Sequence, residues 1–541
     1  MALTSRSGGL GRFGCAHATT IVAEPASSPT FIVAEPDQRA RDARGLHPIP
    51  WRESFESFRT DRPAAQGDPD SSSAVLVLEV VVSVLDTSSH PVIPDTSARE
   101  GAPAPQTGTV RHARSATGAI RTIGSSPETA PIILHPGDAM PTWRRVVSII
   151  LLGALTALGP FTIDLYLPAF PVLEADFQTT AAAIQLTLTG TMIGFALGQL
   201  IVGPLSDKIG RRVPLIAVTA LHVLASVAAA FAPDLELLTV ARVLMGAGAA
   251  AGGVVAAAIV RDLFGGKRLV VMLSRLALVS GVAPVLAPLV GSWLLQVMPW
   301  RGIFVVLALY GAVMLIATLI LVQETLPKAR RSGRSGTTVW QRYRGVLSDR
   351  VFIGVLIIGG MSFSGLFSYL SASPFLFQQS YGLDAQQYGL LFAVNSVGVV
   401  GGVQIASRLA ARYGPQWVLA FSTTALAVMG AAIILADQLG WGLWGTLVPL
   451  FFFMTACGFT GPCVQVLALD RHGNAAGTAQ SLVGATNFGV AGIVSPLVGW
   501  ISQGAGITPT TMATVMVGCG VVAIASLWLV VRPRTVAQLA P

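Results

Sequence analysis

From residue 144 onward, apolar runs of about 20 residues alternate with short polar connections. A helix rises about 1.5 Å per residue, so each run is long enough to cross the roughly 30 Å hydrocarbon core of a bilayer. The pattern predicts helices at 146–170, 183–204, 213–232, 236–259, 269–295 and 302–323, then at 351–376, 386–407, 417–436, 440–467, 478–503 and 509–531. A polar stretch at 324–350 separates the two sets of six. The expected fold class is an all-α membrane protein of twelve transmembrane helices in two six-helix bundles, 141–323 and 351–541, joined by a central loop.

Residues 1–140 break the pattern. They are rich in Pro, Ala, Ser and Arg, and their longest apolar run, Ala74–Leu85, is interrupted by Glu79 and too short to span. The repeat Ile21-Val22-Ala23-Glu24-Pro25 and Ile32-Val33-Ala34-Glu35-Pro36 is the one internal echo. No apolar signal-peptide core is present, and 15 acids argue against a transit peptide. The region reads as a disordered extension. Met140, the first methionine after Met1, precedes Pro141-Thr142-Trp143-Arg144-Arg145, a plausible lead into the first span. The expectation is that residues 1–139 are dispensable and that translation can begin at Met140.

Composition sharpens the class. Hydrophobic residues make up 52% of the 541 and charged residues only 11%, where soluble domains carry about 25% charge. The net charge of +8 divides into −3 over residues 1–140 and +11 over 141–541, so it belongs to the membrane part and is no nucleic-acid footprint. With the amino terminus inside, 20 Lys and Arg fall on inner segments and Arg301 alone falls outside. Positive charge on short loops stays cytoplasmic, which places both termini in the cytoplasm of a multi-pass protein in the cell membrane. Cys15, Cys457, Cys463 and Cys519 form no framework: Cys457 and Cys463 are six apart on one helix and face apart, which supports neither a disulfide nor a metal site. No G-x-x-x-x-G-K-[ST], H-E-x-x-H or G-x-S-x-G pattern occurs, so neither an ATP-driven pump nor a hydrolase is expected, and no catalytic residue is assigned.

Asp164 is the one acid inside a span; every other acid beyond residue 140 sits at a span end or in a loop. A charge at membrane depth costs roughly 2.5–3.5 kcal/mol even on lenient scales, so a chain that keeps one is using it, by default as a proton or ion carrier. The plainer alternative is a capping or snorkelling acid near the outer face. Arg242 and Arg275 are the basic residues within spans.

Between spans 2 and 3 runs Gly203-Pro204-Leu205-Ser206-Asp207-Lys208-Ile209-Gly210-Arg211-Arg212. It resembles the loop signature of the major facilitator superfamily, G-x-L-x-D-[RK]-x-G-R-[RK]. Leu409, Arg412 and Gly414 repeat the spacing of Leu205, Lys208 and Gly210 at an offset of 204 residues, with Ala411 in place of the acid. Asp164-Leu165-Tyr166-Leu167-Pro168-Ala169-Phe170-Pro171 resembles the end of helix 1 in the bicyclomycin- and chloramphenicol-resistance (Bcr/CflA-type) branch of drug:proton antiporters. Arg242 to Gly246 matches the helix 4 signature R-x-x-x-G. Arg261-Asp262-Leu263 and Glu324-Thr325-Leu326-Pro327 match the branch's endings of helices 4 and 6. Pro288 and Gly291 match part of the helix 5 antiporter signature, with Ala287 and Ser292 where glycines are usual. The resemblance covers about residues 141–531.

It implies an alternating-access antiporter that uses the proton gradient and no bound cofactor. Asp164 would carry the exchanged proton and Arg242 would tune it, although an arginine there can equally be a hydrogen-bond donor to helix carbonyls. The 203–212 loop would act as a conformational switch, with Asp207 latched against the start of span 11 near Thr478. Span 5, with Pro284, Pro288 and Gly291, would be a gating helix or simply a kinked one. The glycine spacings at Gly190, Gly194 and Gly198 and at Gly398 and Gly402 read as packing surfaces. Gln185, Gln199, Asn395, Gln465, Gln480 and Asn487 are polar enough to line a cavity, and His222 reads as structural.

The implied function is export of small hydrophobic drugs by a monomer. Thr156 stands where some relatives carry a second acid, which favours neutral or zwitterionic cargo. The alternatives are export of an amino acid or related metabolite with incidental drug efflux, or a membrane sensor that transports nothing.

Overall fold

A computed structural model describes residues 136–138, 140–328, 331, 339–472, 476–502 and 506–535. The extension up to residue 135, with its repeat and its apolar run, lies outside the described residues, as do 329, 330 and 332–338 of the central loop.

Among the described residues there is no strand, and twelve helices are long and apolar enough to cross a membrane. Helix α1 (Thr142–Asp164) breaks at a short turn and continues as α2 (Phe170–Asp176), the two forming one span. Then come α3 (Ala181–Ile209), α4 (Arg212–Ala230), α5 (Leu235–Leu263), α6 (Gly266–Val297) and α7 (Trp300–Leu321). A short α8 (Val339–Leu347) precedes α9 (Arg350–Phe375), α10 (Ala385–Tyr413), α11 (Pro415–Gln438), α12 (Gly442–Asp470), α13 (Ala476–Val494), α14 (Leu497–Ile501) and α15 (Pro509–Ala525). Several helices outrun their predicted spans because polar residues extend and cap them beyond the hydrocarbon. Asp234 accepts from the Leu237 N–H at 2.7 Å, and Asp384 and Gln387 cap α10 reciprocally. Gly210 and Gly414 end α3 and α10 at φ of +110° and +86°, a backbone region that favours glycine.

Glycines set the closest helix contacts. A Cβ on Gly194 would strike the Val243 carbonyl, and one on Gly246 the Thr191 carbonyl, so α3 and α5 meet backbone to backbone. In the second half α10 and α12 do the same, with Gly402 against Thr455 and Gly458 against Val399. Small residues are what allow such approach in lipid, where hydrophobic burial gives helices little reason to associate.

Among the described residues three apolar cores follow. One joins both halves, from Leu167 and Phe170 across to Phe375 and Tyr388. The other two are separate: Leu151, Val255 and Ile259 in the first half, and Phe352, Val464 and Leu527 in the second. The halves therefore share a core near the face where α1 ends and part towards the face that carries the 203–212 loop. Contact between them runs through α3 against α13 and α6 against α10.

Candidate functional site

The parting of the halves leaves a cavity of about 1040 Å³. Thr156, Gln199, Gln465 and Gln480 line it, and the charged residues along it, Asp207, Arg211, Arg261 and Asp262, belong to helix ends and turns at the loop face. Phe195 and Phe488, also in its lining, stack at 4.7 Å between ring centres, with Phe363 and Phe367 packed against Phe488. Away from its charged mouth, the wall is apolar with uncharged amide and hydroxyl groups.

At the opposite face the halves are pinned. The buried Gln185 of α3 donates through Nε2 to the Ser371 carbonyl at 3.1 Å and accepts through Oε1 from the Gly499 N–H at 3.1 Å. Gln378 donates to the Pro168 carbonyl, Gln379 donates to Glu174, and Phe170 meets Phe375 at 5.6 Å. Composition suggested a cavity role for Gln185; the structure puts it in the closure instead. No sequence signal separates it from Gln199, since a glutamine within an apolar run looks the same at whatever level of the helix it lies. Asn395 is likewise diverted, donating to the Tyr369 hydroxyl.

Asp164 is the last residue of α1 and is 4% exposed, with twelve further residues of the span beyond it. It does not snorkel, it is absent from the cavity lining, and its Oδ1 has no hydrogen-bond partner. The negative end of the α1 dipole adds to the cost of a charge there. Because α1 breaks here, its last carbonyls lose their helical donors. Arg242, fully buried on α5, takes up one of them: its guanidinium donates to the Thr162 carbonyl at 2.7 Å and lies 4.3 Å from the centre of the Tyr166 ring. It makes no ion pair with Asp164, although its charge attracts the carboxylate from nearby. Tyr369 and Tyr388, from the second half, are near enough to feel the same carboxylate. Asp164 thus sits where the halves meet.

Helix α6 runs unbroken through Pro284 and Pro288. A Cβ on Gly291 would strike the Leu165 carbonyl, so this glycine receives the break in α1, and Gly389 of α10 packs against Pro288 and Ser292. His222 is buried, within hydrogen-bond distance of the Met245 carbonyl and Ser226.

The 203–212 loop centres on Arg211. Its side chain donates to Asp207 at 2.5 Å, Asp262 at 2.9 Å and Ser206 at 2.9 Å, and its N–H donates to Glu324 at 2.9 Å. Burial works against the Arg211 charge, but Asp262 and Asp207 outweigh it and hold its pKa above the usual value. Burial likewise pushes the Glu324 carboxyl up, yet the N–H groups of Arg211, Leu326 and Arg212, with the Arg331 charge, leave it below the ordinary value. Arg212 donates to the Leu319 carbonyl, Lys208 and Leu205 are exposed, and Gly203 has room around it. Asp207 and Thr478 both line the cavity, and among the described residues no hydrogen bond joins them. The sequence motifs contain Asp262 and Glu324 but name no partner for them; charged residues at successive span ends of one face are the available signal.

Residues 150–496 match the Major Facilitator Superfamily, and the chain belongs to that family. The uncharacterised MFS-type transporter YdgK of Bacillus subtilis is 36% identical over 363 residues, 66% of this chain and 90% of that protein. A bicyclomycin resistance protein homolog of Haemophilus influenzae is 28% identical, over 65% of this chain and 88% of its own length. The multidrug resistance protein MdtL of Escherichia coli is also 28% identical, over 71% and 95%. In fold the chain is similar to the xylose transporter XylE of Escherichia coli in a partially occluded inward-open conformation. The TM-score is 0.57 at 13% identity, covering 73% of this chain and 98% of that one. The chain is a multi-pass membrane transporter and not an enzyme.

Proposed function

We propose that this transporter is a proton-coupled antiporter that exports small hydrophobic drugs across the cytoplasmic membrane, as a monomer with both termini cytoplasmic. The observation that carries the coupling is Asp164, a carboxylate buried where the halves meet, with an unpartnered oxygen and a guanidinium nearby. Taking up a proton removes the charge that this site disfavours, and giving it up restores the attraction to Arg242. Either change alters how the halves fit together, and a ligand shifts such an equilibrium only by its differential affinity for the two states. The structure then corresponds to the state open to the cytoplasm, the face that the positive loops mark as inside. On this reading Arg211, Asp207, Asp262 and Glu324 brace the first bundle while the cavity is open. When it closes, Asp207 is freed to latch onto the start of α13.

Export of drugs is supported over export of an amino acid by the cavity wall. Its charges lie at the mouth, whereas an ammonium and a carboxylate on one cargo would each need a desolvated partner deeper in. The names of the Haemophilus influenzae and Escherichia coli relatives point the same way.

Asp164→Asn tests the proposal. The amide keeps the shape but cannot exchange a proton, so substrate-induced proton release from purified protein should vanish while membrane insertion and substrate binding persist. Undiminished efflux driven by a pH gradient in that variant would refute it.

A further inference from the structure

The turn between α10 and α11 is the second-half counterpart of the 203–212 loop, and it has lost that loop's acid. In the first half Arg211 is held by Asp207 and Asp262, and Arg212 by the Leu319 carbonyl. In the second half Ala411 stands where Asp207 does. Among the described residues no acid pairs with Arg408 or Arg412, which lie one turn apart and exposed at the end of α10. The Arg412 guanidinium lies 5.3 Å from the Tyr413 ring centre.

Beside these cations α10 and α11 leave a groove of about 540 Å³, lined by Leu409, Arg412, Tyr413, Trp417, Val418 and Phe421. Its aromatics are exposed: Tyr413 at 56%, Trp417 at 41% and Phe421 at 60%. They are ordered by depth. Tyr413 lies at the turn and Trp417 in the first turn of α11, and Phe421 lies four residues, about 6 Å, further along that helix. Arg412 beside Tyr413, then Trp417, then Phe421 follows the polarity gradient from a headgroup through the interface to the acyl chains. An apolar occupant would leave the arginines unused, and a zwitterionic lipid would offer them no net charge. Basic pockets beside transmembrane helices on the cytoplasmic side suit anionic headgroups.

We propose that this groove binds an anionic phospholipid, its phosphodiester held by Arg412 and Arg408 and its first acyl carbons lying along Trp417, Val418 and Phe421. Only the choice of the cytoplasmic leaflet rests on the orientation proposed above.

The test uses the purified full chain in detergent, with phosphatidylglycerol and phosphatidylcholine of identical acyl chains titrated separately and binding read by native mass spectrometry. The wild type should bind phosphatidylglycerol about tenfold more tightly, less so in high salt. Arg408→Gln with Arg412→Gln should abolish the preference and leave phosphatidylcholine binding unchanged, while Arg408→Lys with Arg412→Lys should retain much of it. Asp164→Asn should bind as the wild type does, so the site is judged separately from the transport reading. Equal affinity for the two lipids, or a preference that survives the glutamine pair, overturns the proposal. So does a dimer that Trp417→Glu dissociates, because a second copy would then fill the groove.

Discussion

Gln185→Leu removes a side chain that ties three helices together at the face opposite the cavity mouth. Two hydrogen bonds are lost, to Ser371 and to Gly499, both in a buried setting. The Gly499 N–H lies in the first turn of α14, where a helix has no acceptor of its own, and leucine leaves it dry and unpaired. Each bond is worth about 0.5–1.5 kcal/mol net, and a stranded buried donor costs about 1–3 kcal/mol. When the halves part at this face, water can satisfy the same groups, so the penalty falls on the closed arrangement alone. A shift of about 2–3 kcal/mol corresponds to roughly 30- to 150-fold in the equilibrium between the arrangements. Ala372, fully buried on α9 beside this contact, supplies the probe. Ala372→Cys in a background lacking the native cysteines should react slowly with a membrane-impermeant maleimide from outside. Adding Gln185→Leu should raise that rate at least tenfold. An unchanged rate in a variant that melts like its parent would show that the clamp does not hold this face shut.

Gly194→Ala places a methyl against the Val243 carbonyl and should destabilise the α3–α5 contact by about 1–3 kcal/mol, read as a lower melting temperature in detergent. Gly203→Ala, whose added methyl would meet only Val254 at an ordinary contact distance of 3.7 Å, should melt within a degree or two of the wild type. Asp207→Asn should barely change stability, since its partner Arg211 keeps Asp262 and the acid is 48% exposed. It should nevertheless slow turnover and raise labelling of Thr478→Cys from the cytoplasmic side, and equal labelling would remove the latch. Glu324 has a depressed folded-state pKa, so its ionised form stabilises the loop at pH above the ordinary value of 4.5, and that contribution is lost as pH falls through the depressed value. Glu324→Gln should therefore melt lower than the wild type at pH 7, and the gap should close under acid; a gap that persists at low pH would contradict the assignment.

The twelve spans, the glycine packing stripes and the odd position of Asp164 were legible because each is a local property. Twenty apolar residues must cross a bilayer as a helix wherever they occur, since lipid satisfies no backbone group. A carboxylate among them is costly whatever surrounds it. The same holds for Gly210 and Gly414, whose positive φ is a matter of the turn alone.

What only the tertiary structure decided is which polar side chains meet. Arg242 caps the broken end of α1 through Thr162 and forms no ion pair with Asp164, because α1 stops at residue 164 and leaves a carbonyl facing α5. Gln185 and Gln199 carry the same side chain on the same helix, yet one clamps the halves together and the other lines the cavity, because they lie about 20 Å apart along a helix whose partners converge at one face and diverge at the other. Asp262 and Glu324 acquire their role from Arg211, 51 and 113 residues away in sequence. Periodicity and hydropathy are sums over neighbours along the chain, whereas a hydrogen bond between helices depends on how the helices are rotated against one another. That rotation is set by packing contacts such as Gly194 on Val243, and a linear sequence does not state it.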